Sequence, residues 1–232
     1  MTERIAVLIP ALNAAGTLAP VVRACRELMA DVVVIDDGSS DATGLVAKEN
    51  GALVLTHPVN RGKGGALKTG FAWALANGFD SVITLDADGQ HLPSDIPKII
   101  EAREQTGADL IIGSRRHLFS GMLPRRRMAN TFSAWSIAWA SGTDVNDSQS
   151  GFRLYSARLL RAADLRTEGF DMESEVIVVA GRRGFRVITT PINLGFVDGV
   201  STSHYQPLKD TVRIAWTVFK TKYFRKHPRL AQ

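Results

Sequence analysis

Ser81-Val-Ile-Thr-Leu-Asp86-Ala-Asp88-Gly-Gln90-His91 is the stretch on which the fold is decided. Val82 to Leu85 is a short apolar run of the kind that makes a buried strand, and it leads straight into Asp86. In extended backbone, residues i, i+2 and i+4 point to one side. Asp86, Asp88 and Gln90 are therefore expected to project side-chain oxygens into one volume at the carboxyl end of a strand. Such oxygens suit Mg²⁺ or Mn²⁺, which Mg²⁺-type sites hold with one or two carboxylates plus substrate phosphates. Asp-Gly is also a hairpin signal, so a surface turn competes with the metal reading. Pro93-Ser94-Asp95 and a helical pattern follow instead of a second strand, which weighs against the hairpin.

Outward from this stretch the first half alternates. Strands are expected at Ile5 to Ile9, Val32 to Ile35, Leu53 to Leu55, Val82 to Leu85 and Leu110 to Ile112. Helical patterns lie between them at Gly16 to Met29, Asp41 to Glu49, Gly65 to Ala76 and Ser94 to Gln105. Short Val/Ile/Leu runs separated by helices imply a parallel sheet covered on both faces. Ligands of such sheets sit outside the carboxyl ends of the strands. Each expected strand ends in polar or glycine-rich sequence: Pro10-Ala-Leu-Asn13, Asp36-Asp-Gly-Ser39, Asn60-Arg-Gly-Lys63, Asp86-Ala-Asp88 and Gly113-Ser-Arg115. All five should gather on one edge.

The second half is less regular. Helices are expected at Arg126 to Ser141, Met172 to Ala180 and Leu208 to Phe224, with strands at Gly151 to Tyr155 and Phe185 to Ile192. Trp135 and Trp139 share a stripe with Met128 and Phe132 that is more often core than membrane-facing. No repeat or linker divides the 232 residues, so the fold class is α/β in one domain, a mostly parallel sheet flanked by helices.

Lys and Arg number 28 against 23 Asp and Glu, a net +5 that suggests an anionic partner. The one cysteine, Cys25, permits no disulfide within the chain and reads as small buried filler. The start resembles no signal peptide, and no apolar run approaches the ~18 residues that span a bilayer. A cytoplasmic chain is expected, bound at most to one membrane face. No recognised nucleic-acid motif accompanies the charge.

Gly62-Lys63-Gly64-Gly65 is neither a Walker A loop nor a dinucleotide fingerprint. It is either a tight turn using positive φ or a helix N-terminus that binds an anion. In Asp36-Asp37-Gly-Ser-Ser40-Asp41, Ser40 or Asp41 suits a helix cap, and one of the two leading acids is free to accept from a base or ribose.

Five motifs occur in order: Ile9-Pro-Ala-Leu-Asn13, Val34-Ile-Asp-Asp-Gly-Ser-Ser-Asp41, Asn60-Arg-Gly-Lys-Gly-Gly65, Asp86-Ala-Asp-Gly-Gln-His91 and Ser148-Gln-Ser-Gly-Phe-Arg153. Together they resemble a family 2 inverting glycosyltransferase of the GT-A fold, in particular the polyprenyl (dolichyl) phosphate mannosyl- and glucosyltransferases. The resemblance runs from about residue 4 to 215 and takes in Phe170-Asp-Met-Glu-Ser-Glu175 and Ser203-His-Tyr205. It implies that Pro10, Asn13, Asp36, Asp37, Lys63 and Asp86 bind the nucleotide-sugar. It likewise implies that Asp86, Asp88 and Gln90 hold Mg²⁺ or Mn²⁺, and that Arg115, Arg127 and Arg153 serve the donor and acceptor phosphates. Catalysis would then fall to Asp88, Arg153 and, where a base is needed, Asp147. The family usually has Tyr-Asn-Glu where this chain reads Leu12-Asn13-Ala14, which leaves the nucleotide base open.

The implied partners are a nucleotide-sugar donor (GDP-mannose or UDP-glucose type), a polyprenyl phosphate acceptor and a membrane surface, with a membrane protein partner left open. The acceptor determines the need for a base. A phosphate monoester, with a second pKa of about 6, is mostly dianionic at neutral pH and needs arginines to hold it. A sugar hydroxyl needs a positioned carboxylate, for which Asp147 is the candidate. The tail, residues 208–226, sets Val212, Ala215, Trp216, Phe219 and Tyr223 at helical spacing among Arg213, Lys220, Lys222, Arg225 and Lys226. It reads either as a membrane-interface helix or as a helix packed on the core.

Overall fold

Runs such as Val32-Val-Val-Ile-Asp36 become central strands because β-branched side chains suit a pleated surface buried on both faces, and all five of these residues are buried. The computed structural model describes residues 3–116, 134–195 and 207–225. Its strands are β1 (Ile5–Ala11), β2 (Val32–Asp36), β3 (Leu53–Thr56), β4 (Ser81–Thr84), β5 (Leu110–Ser114), β6 (Arg153–Ser156) and β7 (Val187–Pro191). The helices are α1 (Ala15–Leu28), α2 (Thr43–Glu49), α3 (Lys63–Ala76), α4 (Ile96–Thr106), α5 (residues 134–141), α6 (Ala157–Ala162), α7 (Met172–Arg183) and α8 (Pro207–Phe224). A 3₁₀ turn at Pro93–Asp95 leads into α4.

The strands form one sheet in the order β3-β2-β1-β4-β6-β5-β7. Every pairing is parallel except those of β6, which runs against β4 and β5. That reversal has a consequence for the site. Arg153 pairs with Thr84 and Ile112, so β6 starts at the edge where β1, β2, β4 and β5 end. The loop before it, Asp147 to Phe152, is thereby delivered to the same edge.

Two apolar layers cover the sheet. Leu18, Val22, Cys25, Ile96 and Ile99 pack on one face from α1 and α4. Leu67, Phe71, Leu159, Val176 and Ile177 pack on the other from α3, α6 and α7, joined by Ile214 and Val218 of α8. Cys25 is buried filler as expected, and burial pushes its thiol up to about 12.

Two helices depart from expectation. In α5, Ile137 and Ala140 are buried while Trp135 and Trp139 are 63% and 52% exposed, so this stripe is surface rather than core. α8 packs on the core and leaves an aromatic face outward. Ile214, Thr217, Val218 and Thr221 are buried, whereas Trp216, Phe219, Tyr223 and Phe224 face outward. The exposed rings of the two helices meet, with Trp139 and Tyr223 centroids 6.1 Å apart and Phe219 and Tyr223 5.0 Å apart. Lys222 Nζ sits over Trp139 and Lys220 Nζ over Trp216. Arg127 and Ser203-His-Tyr205 lie outside the described residues.

Candidate active site

The strand ends converge on a cavity of about 240 Å³, lined by Pro10, Asn13, Asp37, Lys63, Asp86 and Asp88, with Thr17 and Phe170 completing parts of its wall. The carboxylates reach it by a turn, not by extended alternation. β4 ends at Thr84, and Ala87 to Gly89 turns with Gly89 at φ +75. Turn and binding site, set against each other in the sequence, are therefore one structure. Asp88 Oδ1 accepts from Gln90 N–H at 3.0 Å, which closes the turn and fixes the carboxylate. Gln90 is tied further by its carbonyl, which accepts from Gly195 N–H.

Asp86 and Asp88 have opposite electrostatics. Burial by itself would raise the Asp86 pKa, but the ammonium of Lys63, with help from His91 and Arg115, holds it down at about 2. Asp88 is raised, first by burial and then by the charge of Asp86. The pair consequently attracts positive charge at the Asp88 side. Lys63 Nζ lies 2.6 Å from Asp86 Oδ1 and 3.1 Å from Oε2 of the buried Glu173. Burial would lower the Lys63 pKa, yet these two acids outweigh it and hold it raised. His91 is buried beside Asp86, with Nδ1 3.6 Å from Oδ2, and burial drives its pKa down to about 4, leaving the ring neutral at pH 7.

The acid pair after β2 divides its labour. Asp36 is buried, accepts from Ser39 N–H at 3.0 Å within the turn, and is not among the residues that line the cavity. Asp37 lines the cavity. Its Oδ1 accepts from Arg61 N–H at 2.9 Å and is 2.6 Å from His57 Nδ1, while His57 Nε2 reaches Thr69 Oγ1 at 2.9 Å. Nothing in the spacing of His57 announces that support. Asn13, at φ +51, accepts from Ser40 N–H and is held in the left-handed region that Asn tolerates. Asp41 accepts from Thr43 N–H at the start of α2.

The glycine loop is a close approach of two chain segments. Gly62 has φ +84, and a Cβ there would stand 2.6 Å from Glu168 O. Gly65 N–H donates to that same carbonyl at 3.0 Å. The first turn of α3 is thus covered by residues 168–169, and Asn60, Gly62 and Lys63 are what the loop offers to the cavity.

Two expected site residues are engaged elsewhere. Arg153 has no exposed surface, and its guanidinium donates to the carbonyls of Ser150, Glu173 and Ser148 at 2.6, 2.7 and 2.7 Å. It staples the β6 loop to α7. Asp147 is buried and bound by Arg115, whose N–H and Nε both donate to Oδ2 at 3.0 Å while Nη2 donates to Oδ1 at 3.2 Å. Burial would raise the Asp147 pKa, but Arg115 prevails and lowers it. Its service is to orient Arg115, whose charge acts on both Asp86 and Asp88.

Comparison with known proteins agrees with this geometry. Residues 6–167 match the family model described as Glycosyl transferase family 2. The undecaprenyl-phosphate mannosyltransferase of Micrococcus luteus is 33% identical over 208 residues, covering 82% of each chain. The polyprenol monophosphomannose synthase of Mycolicibacterium smegmatis is 32% identical over 212 residues, covering 82% of this chain and 77% of its own. A glucosyl-3-phosphoglycerate synthase from Mycobacterium tuberculosis, solved with Mn²⁺, UDP and phosphoglyceric acid, superposes with a TM-score of 0.69 at 23% identity. That alignment covers 94% of this chain and 77% of the synthase and shows the shared GT-A fold. By these relationships and by the strand ends that build its cavity, the chain belongs to glycosyl transferase family 2, a glycosyltransferase of the GT-A fold.

Proposed function

We propose that the protein transfers a hexose, with inversion, from a GDP-mannose or UDP-glucose type donor to a polyprenyl phosphate at the cytosolic membrane face. The observation that carries this is the commitment of Asp147 to Arg115. The acid that a hydroxyl acceptor would need as base is already an ion pair, whereas a phosphate acceptor needs fixed arginine and no base. The names of the two bacterial relatives point to the same acceptor class.

In this reading Pro10, Asn13 and Asp37 hold the nucleoside, and Lys63 meets the donor phosphates. Asp86 and Asp88, with Gln90, hold Mg²⁺ or Mn²⁺. The two carboxylates fit such an ion: both line the cavity, and Asp88 is raised first by burial and then by the charge of Asp86. The rest of the shell is left to donor phosphates, as Mg²⁺ usually has it. The ion supplies Lewis-acid charge for the departing nucleoside diphosphate. Arg115, and Arg127 from outside the described residues, hold the acceptor phosphate. Its oxygen attacks the anomeric carbon from the face opposite the leaving group, through an oxocarbenium-like state.

The exposed aromatics of α5 and α8, with Lys220 and Lys222 over their rings, form the membrane face. Trp and Tyr beside Lys favour the interfacial region, where each cation near an anionic leaflet contributes about 1 kcal/mol. No helix among the described residues is long and apolar enough to cross a membrane.

The test is incubation with labelled GDP- and UDP-sugars, Mn²⁺ or Mg²⁺ and undecaprenyl phosphate, reading label in the organic phase. Metal-dependent lipid labelling is expected. Donor hydrolysis without lipid label would turn the assignment to a hydroxyl acceptor, and absence of donor binding would end it. In the same assay Asp147→Asn is expected to raise the acceptor KM with the optimum pH unchanged, since it loosens Arg115; a lost basic limb of the pH profile would restore Asp147 as a base. His57→Ala is expected to weaken nucleoside diphosphate binding about tenfold, the worth of one hydrogen bond to a charged group. Calorimetric titration checks it, and unchanged affinity would show that Arg61 N–H alone orients Asp37.

A further inference from the structure

We infer that Lys63 stands as a resident cation between Asp86 and Glu173 in the donor-free protein, and that the divalent ion gains Asp86 only when donor phosphates draw Lys63 away. The inference rests on the metal-dependent transfer proposed above and concerns how that site fills.

One oxygen of Asp86 is engaged by a cation. Lys63 Nζ takes Oδ1 at 2.6 Å. Oδ2 stays open: it lies 3.6 Å from His91 Nδ1, beyond hydrogen-bond reach, and beside Gly151, where a Cβ would crowd it at 2.5 Å. Asp88 is half committed as well, through Gln90 N–H. With one oxygen of each carboxylate engaged and an ammonium beside Asp86, the pair holds a divalent ion weakly on its own, because Mg²⁺-type sites rely on substrate oxygens.

Lys63 is built to stay and to leave. Its backbone is the first residue of α3, fixed by the Gly62 turn against Glu168. Its side chain is only 14% exposed, yet Lys63 lines the cavity next to Asp86 and Asp88. An arriving pyrophosphate brings two or more negative charges against the one of Asp86, and the ammonium, on its flexible stem, needs only side-chain rotation to change partner. Glu173 is provided for. Its buried Oε1 has no hydrogen-bond partner, and Arg153 Nε lies 3.9 Å from it, so a cation remains beside Glu173 after Lys63 moves. Donor and metal then bind as mutually dependent ligands, which is a coupling that must be reciprocal.

The experiment titrates Mn²⁺ into the purified full chain and follows the free-ion signal by electron paramagnetic resonance, with and without UDP or GDP. Wild type is expected to bind Mn²⁺ weakly alone and strongly with nucleotide. Lys63→Met should tighten nucleotide-free Mn²⁺ binding about tenfold or more, as expected for removing a unit charge within a few ångströms. The gain from adding nucleotide should shrink. Because Lys63→Met also takes the ammonium from Glu173 Oε2, the double variant Lys63→Met/Glu173→Gln is measured too, with melting to establish folding, and should show the same loss of coupling. Folded variants with wild-type Mn²⁺ affinity and coupling would overturn the inference while leaving metal-dependent transfer standing. Absence of Mn²⁺ binding in all three proteins, with either nucleotide, would overturn both.

Discussion

Asp88→Ala is expected to reduce sugar transfer by about 10³-fold, the scale of removing one electrostatic stabiliser of developing charge. Asp88 lines the cavity with Asp86, and it is the carboxylate of the two that lacks a close cation. The variant should fold at least as well as the parent. Asp88 has its pKa raised by burial and by Asp86, so its folded value exceeds the unfolded one. The sign follows: ionised Asp88 opposes folding, and its cost appears as pH rises through the carboxylate range and persists at neutrality. Lipid-labelling rates and thermal melts at pH 7 check both halves. Wild-type turnover in Asp88→Ala would remove the metal-binding role, and a large fall in Tm would assign the residue to the fold. Asp88→Asn, which keeps an oxygen and the turn, should recover a small part of the rate.

Arg153→Leu is expected to destabilise the protein by about 3–5 kcal/mol, the usual consequence of removing one member of a buried, charge-assisted network. Three carbonyls, on Ser148, Ser150 and Glu173, lose their donor at once. Leucine fills part of the volume and satisfies none of them. The melting temperature should fall by about 10 °C or more for a domain of this size. Arg153→Lys should rescue little, because a single ammonium cannot serve three acceptors that a planar fork reaches. Unchanged melting with a raised acceptor KM would return Arg153 to the phosphate-binding role implied by the family motif.

These two residues mark where the sequence was informative. Strands β1, β2, β4 and β5 were legible because parallel strands buried on both faces read as unbroken apolar runs. Their polar ends announced the edge where Asn13, Asp37, Asp86 and Asp88 meet. Direction was not legible. Nothing in Gly151 to Tyr155 shows that the strand runs backwards or inserts between β4 and β5, since lateral order depends on contacts far along the chain. The fate of Arg153 followed from that insertion: its partners are loop carbonyls, which carry no residue-type signal. Asp147 and Arg115 stand 32 positions apart, and their pairing depends on the same insertion. The Lys63–Glu173 contact was likewise hidden, joining helices 110 positions apart. His57 was missed because a lone histidine after a strand has no spacing partner. The outward tryptophans of α5 were misjudged because a helical stripe tells which residues share a face, not what that face meets.

The attachment of α8 reaches beyond the helix itself. Arg213 Nε is 3.0 Å from Asp171 Oδ1, Thr217 donates to Asp171 Oδ2 at 2.8 Å, and Arg225 pairs with Glu175. Asp171 and Glu175 flank Glu173 at the start of α7, so the aromatic helix is clamped to the segment that closes the donor cavity. A helix clamped in this way cannot act as a loose tether on which the body swivels. Landing on a bilayer would set the cavity at one height and one tilt above the lipid. The reaction would then run in two dimensions, its saturation set by acceptor molecules per unit area and its encounter rate by lateral diffusion in the leaflet.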